Sequence, residues 1–292
     1  MKKYGFFVIL ILSLCLAQCA SSVDKNVEDA KFALDNDDFS AAISAADAAL
    51  NEDPANAKAA RILAAAYMGR GGFNMHDIAV KLLDLQDLTD SNYTVLAPVM
   101  PDDGDLNDMR LAITTLQGLE GLEFASLPTG GDVLETDDLK DAAYDLGLIQ
   151  MTFHYAVAIY NSNYKSDPDN YDVSLLDADD SDGFNDLEEA QQALVQFDNY
   201  LIAAGFDPAD DTGSFIDEVR QTHCLMQGIS SDVGYSLATF QALVQCDLSE
   251  DSASETPSAI DPEFTDCSLS NPDDAGLPSV VTDCFGTDTV LE

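Results

Sequence analysis

Carboxylates are the commonest groups in this 292-residue chain that could do chemistry, and one run of them is spaced for a metal ion. Asp177-Ala178-Asp179-Asp180-Ser181-Asp182-Gly183 precedes a helical pattern carrying Glu188 and Glu189. Hard cations such as calcium prefer oxygen ligands, and a loop that turns at Gly183 would gather Asp180, Asp182 and Glu189. The same run reads equally as chance clustering in an acidic chain, with a cap at a helix N-terminus where the dipole favours negative charge. Bond-making chemistry has no comparable constellation. His76, His154 and His223 lie far apart, and none has metal-ligand spacing with another. His154 sits in an apolar helical pattern and reads as a core or boundary residue. A nucleophile elbow, a phosphate loop and a His-Glu-x-x-His motif are all absent. The chain is expected to bind, not to catalyse, and is not expected to be an enzyme.

Counted back from Gly183, Asp180, Asp182 and Glu189 fall on positions three, five and twelve of a loop that resembles the calcium loop of EF-hands. Ala178 at position one and Asn185 at position eight depart from that pattern. The resemblance implies calcium; no other cofactor is expected.

The N-terminus carries chemistry of another kind. Lys2 and Lys3 precede an almost purely apolar run, Phe6 to Leu16, which is too short for a permanent span of about 20 residues. The run ends in Leu16-Ala17-Gln18-Cys19, which resembles the lipobox of bacterial lipoproteins. That resemblance makes residues 1–18 a signal peptide and Cys19 the lipid-bearing first residue of the mature chain. Gln18 stands where the family has Gly, Ala or Ser. No Asp follows Cys19, and by the same resemblance the address is the outer membrane, on its periplasmic or surface face. Export places the remaining cysteines, Cys224, Cys246, Cys267 and Cys284, in an oxidising compartment, where an even number suggests two disulfides. Residues 214–228 and 232–246 read as a helical hairpin in which Cys224 and Cys246 are offset by about eight residues, roughly 12 Å. A disulfide needs Cα atoms within about 7 Å. Each helix cysteine is therefore expected to pair with one in the tail, in either of two ways. A zinc site would want closer cysteine spacing.

Net charge is −42, from 54 acidic residues against 12 Lys plus Arg. Such a surface repels nucleic acid and anionic head groups. It suits a salty exterior, calcium binding or plain solubility. The charge is uneven: residues 19–89 hold 6 basic and 12 acidic groups, whereas residues 90–292 hold 4 and 42.

The elements that must position these groups are helices. Residues 39–73 join two alanine-rich helices across Asp53-Pro54. With Pro54 at the terminal proline of a 34-residue unit, Ala30, Phe39, Ala42, Ala49 and Leu50 mark a first unit, 23–56. Leu63, Ala64, Tyr67, Gly71 and Phe73 mark a second, 57–90. The pattern resembles the tetratricopeptide repeat, over about a quarter of the chain. Small residues let the paired helices approach closely, and the aromatic residues fill the gaps between them. In this register Lys31, Lys58 and Arg61 fall on positions that line the family's concave groove, where cations could grip a carboxylate or an acidic segment. The plainer reading makes them solvated residues.

Two repeats rarely suffice, because each buries a face on its neighbour. Helices are expected at 105–119, at 137–161 behind a Thr136 cap, and at 184–204. The fold expected is all-α: tetratricopeptide-like hairpins stacked into a short α-solenoid over 19–89, a further helical bundle over 90–246, and an irregular acidic tail, 247–292, pinned by disulfides. The resemblances together imply a lipid-anchored cell-envelope scaffold that binds a protein or peptide partner. Two other roles fit the same residues. One is a solute-handling transport accessory with a small ligand between helix layers; the other is a calcium-dependent surface structural protein.

Overall fold

A computed structural model describes residues 21–75, 77–78, 96–127, 133–167, 171–176 and 185–205. The signal segment, Cys19, His76, Asp180, Asp182, His223, the hairpin at 214–246, the four other cysteines and the tail lie outside the described residues. Every regular element among the described residues is helical, and none is long and apolar enough to cross a membrane. Among the described residues six α-helices follow in order: α1 Ser22–Leu34, α2 Phe39–Glu52, α3 Ala57–Arg70, α4 Leu106–Gln117, α5 Asp137–Asn161 and α6 Asp186–Ala203. Three short 3-10 turns, Ala97–Val99, Phe124–Ser126 and Val173–Leu175, sit in the connections.

Part of the acidic excess has a local use. Each helix starts at a polar side chain that accepts a backbone N–H: Ser21, Asp38, Asn56, Asp105, Thr136 and Asn185. Such a cap is worth about 1 kcal/mol over alanine. Ser21 and Asp24 form a reciprocal capping box, so α1 has a defined start.

The first three helices pack on one another, α1 on α2, α2 on α3, and α1 also on α3. Their contacts are made of alanine. Ala30, Ala42, Ala49 and Ala64 are all buried, as are Ala33, Ala46 and Ala66. Phe39 lies over Gly69, so closely that a Cβ there would collide with its ring. Helix α3 then turns toward the rest of the molecule. It packs on α4 and α5, while α5 packs on α4 and α6.

The spacing of apolar residues over 137–161 predicts a stripe of Ala143, Leu146, Ile149, Phe153, Val157 and Tyr160, and α5 is more deeply enclosed than that. All residues from Leu146 to Ile159 are buried, including those off the stripe. The cause is compositional: this stretch is apolar on nearly every side, and such a helix must be covered all round. Gly147 allows the closest approach, since a Cβ there would stand 2.9 Å from Leu201 Cδ2 and 3.0 Å from the Phe197 carbonyl oxygen. Tyr160 ties the end of α5 to the connection before α4, donating to the Pro101 carbonyl at 2.6 Å. One core cluster runs from Ala57 to Ala203, and two small alanine-centred clusters lie in the first three helices.

Candidate functional site

Cations are scarce here, and their placement is the first feature with functional content. Helix α3 carries Lys58, Arg61 and Arg70 with no acidic residue; α5 carries Asp137, Asp138, Asp141 and Asp145 against Lys140 alone. The two faces meet. Arg61 donates from Nε to Asp145 Oδ2 and from Nη1 to Asp141 Oδ2, both at 2.6 Å. Lys58 Nζ lies 3.8 Å from Asp138 Oδ1. Burial pushes the Asp145 carboxyl above the usual carboxylate range, and the bond to Arg61 holds it only part way back. Burial also works against the charge on Arg61, but its bonds to Asp145 and Asp141 and their charges prevail, and its pKa is raised.

The other described cations follow the same rule. Arg70 grips Asp108 of α4 with Nε at 2.9 Å and with Nη2. Arg110 of α4 holds both carboxylate oxygens of Glu189 of α6, at 2.7 and 2.6 Å. Lys165 donates to the Ala97 carbonyl at 2.9 Å and lies 3.3 Å from Asp102. Lys140 lies 3.8 Å from Asp137 on its own helix.

Two cations stand outside the rule. Lys25 and Lys31 of α1 are exposed and have no carboxylate within 4 Å among the described residues. Beside Lys31, Phe32 is 72% exposed, the most exposed large apolar side chain described. The structure thus brings Lys58 and Arg61 together on the carboxylates of α5, and Lys31 takes no part in that set. Of the calcium residues, Glu189 is described, and a cation there would compete with Arg110 for both oxygens. Among the described residues no three His, Cys, Asp or Glu side chains converge as metal ligands. His154 is buried with Nδ1 3.1 Å from the Ala190 carbonyl oxygen, an acceptor, so the proton sits on Nδ1.

The second feature is a cleft of about 300 Å³ between α4, α5 and α6. At one end three amides meet: Gln196 Oε1 accepts from Gln117 Nε2 at 2.8 Å and from Gln150 Nε2 at 2.6 Å. Gln150 is only 2% exposed, and its Oε1 has no hydrogen-bond partner among the described residues. Leaving a buried acceptor unpaired costs about 1–3 kcal/mol. Turning the amide over does not help, because one of its two polar atoms is then still left over. The other end is the Arg110–Glu189 pair, with Arg110 over the Phe153 ring at 5.5 Å. Behind the amides, Tyr200 donates to the Leu122 carbonyl at 2.9 Å. Burial pushes its phenol up to about 12, against the pull of a hydrogen bond with Gln117.

Comparison with protein-family models, with curated proteins and with solved structures gives no match for this chain. Sequence reasoning passed over four of the residues that matter here, Phe32, Gln117, Gln150 and Gln196. Phe32 had a signal, since it falls between the buried Ala30 and Ala33 and therefore off the packed face. Gln150 had one too, as an amide inside an apolar helical run. Gln117 and Gln196 had none.

Proposed function

We propose that the chain is a lipid-anchored envelope scaffold that binds a protein or peptide through α1 and the tetratricopeptide-like stack behind it. The single observation that carries this reading is the exposed pair Lys31 and Phe32, a cation with no carboxylate partner among the described residues beside an uncovered aromatic ring. Such a pair suits a partner that presents an apolar side chain next to an acidic group. Three further features support it. The alanine packing and the contact of α1 with α3 agree with a tetratricopeptide-like stack. Lys58, 66% exposed, keeps capacity for a second carboxylate, while Arg61 contributes by fixing α3 to α5. Helix α1 starts at Ser22, three residues after Cys19, so a lipid at Cys19 would hold the N-terminal end of α1 within about 10 Å of the membrane surface.

The test uses two variants of the full chain. Cys19→Ala is expected to release the protein from the membrane fraction. Lys31→Glu combined with Phe32→Ser is expected to leave helical circular dichroism unchanged and to lose an envelope partner that co-purifies stoichiometrically with the native chain. Retention of that partner by the double variant would remove the basis of the reading.

A further inference from the structure

The cleft between α4, α5 and α6 is built from groups that cannot satisfy one another. Gln150 is enclosed, uses its amide N–H on Gln196, and keeps a carbonyl oxygen with no partner among the described residues. The bond to Gln196 engages only the N–H end of that amide, and Ile149 and Met151 beside it on α5 are apolar. Thr114 and Gln192 add a hydroxyl and a further amide to the lining, and Phe153, Ile113 and Ala193 give it apolar wall. The formal charge of the lining is zero, since Arg110 and Glu189 cancel.

These facts select a ligand chemistry. An anion would be repelled by a chain of net charge −42 and by Glu189, and a cation would meet Arg110. An apolar ligand would leave Gln150 as unpaired as before. Hydroxyl groups both donate and accept, so adjacent hydroxyls can give a proton to Gln150 Oε1 while accepting from a neighbouring amide. The volume is at the lower end of the range for small-molecule sites, about 300–1,000 Å³. We propose that this cleft binds a small, neutral, hydroxyl-rich solute of monosaccharide size, recognised by the Gln150 amide. The site shares no residue with the α1 surface, and the inference does not depend on the scaffold reading.

Isothermal titration of the full mature chain with glucose, galactose, mannose and myo-inositol tests it, with glucose 6-phosphate and choline as charged probes. The expected result is saturable one-to-one heat with at least one neutral probe. Gln150→Leu should weaken that binding at least tenfold without lowering the melting temperature of the unliganded protein. Thr114→Val, on an exposed position of α4, should weaken it several-fold and decides the matter if Gln150→Leu fails to fold. Three outcomes would overturn the proposal: no saturable heat with any neutral probe, so that the cleft holds water alone; tighter binding of a charged probe; or binding unchanged in the variants that fold.

Discussion

Arg61→Ala removes the tie between the alanine-packed helices and the central helix, and its cost can be worked from the geometry. Two hydrogen bonds of 2.6 Å to carboxylates are lost. Bonds to charged groups are worth about 1.5–3 kcal/mol each when buried, and breaking a fully buried pair costs about 3–5 kcal/mol. The Arg61 side chain is 32% exposed and those of Asp141 and Asp145 58% and 36%, so solvent screens part of this. The net expectation at neutral pH is a loss of about 1–2 kcal/mol. Its pH dependence has a definite sign. The folded-state pKa of Asp145 is raised, chiefly by burial, so the folded chain binds this proton more tightly than the unfolded chain does. The stabilisation from this group is complete below the unfolded value, near 3.9, and fades as pH rises through the folded value. Without Arg61 the folded value climbs further, so the variant's deficit should shrink on going from pH 7 to about pH 5. Urea denaturation followed by circular dichroism at both pH values measures this. A cost under about 0.5 kcal/mol at pH 7, or one that grows on acidification, would refute the reasoning.

Other outcomes follow from the same contacts. Gly147→Ala drives a methyl group against Leu201 and the Phe197 backbone, and should destabilise by about 1–3 kcal/mol in a denaturation series. Tyr200 should resist ionisation: its folded value is raised to about 12, so the stability it contributes is intact below its ordinary value of 10.0 and is lost as pH climbs toward 12. Burial also raises Tyr160, so ultraviolet titration should show more than one late-ionising phenol, with one fewer in Tyr200→Phe. If calcium binds at Glu189, Arg110→Gln frees both carboxylate oxygens and should tighten binding in a calcium titration; no heat in either protein would end the calcium reading.

Local signals account for most of what was legible in the sequence. The cap at Thr136 and the apolar run after it placed α5 at Asp137–Asn161, where the structure has it. The break at Asp53-Pro54 separates α2 from α3, and buried alanines at Ala30, Ala42, Ala49 and Ala64 are what close helix approach requires. Contacts between distant residues were another matter. Arg61 meets partners 80 and 84 positions away and Arg110 one 79 positions away, so the meeting of the α3 cations with the α5 carboxylates left no local signal. Gln117, Gln150 and Gln196 converge only because α4, α5 and α6 pack together. The enclosure of α5 from Leu146 to Ile159 was hidden for the same reason, since periodicity reports one face and says nothing of how many neighbours will cover the others.

The central claim is that α1 is where a partner docks, and site-specific photocrosslinking in native membranes tests it most directly. A photoreactive residue replacing Phe32 should give one discrete crosslinked species, suppressed by Lys31→Glu. The same probe at Leu111 or Leu175, exposed apolar positions on other elements, should give none. Equal crosslinking at all three positions, or none at position 32, would contradict the account.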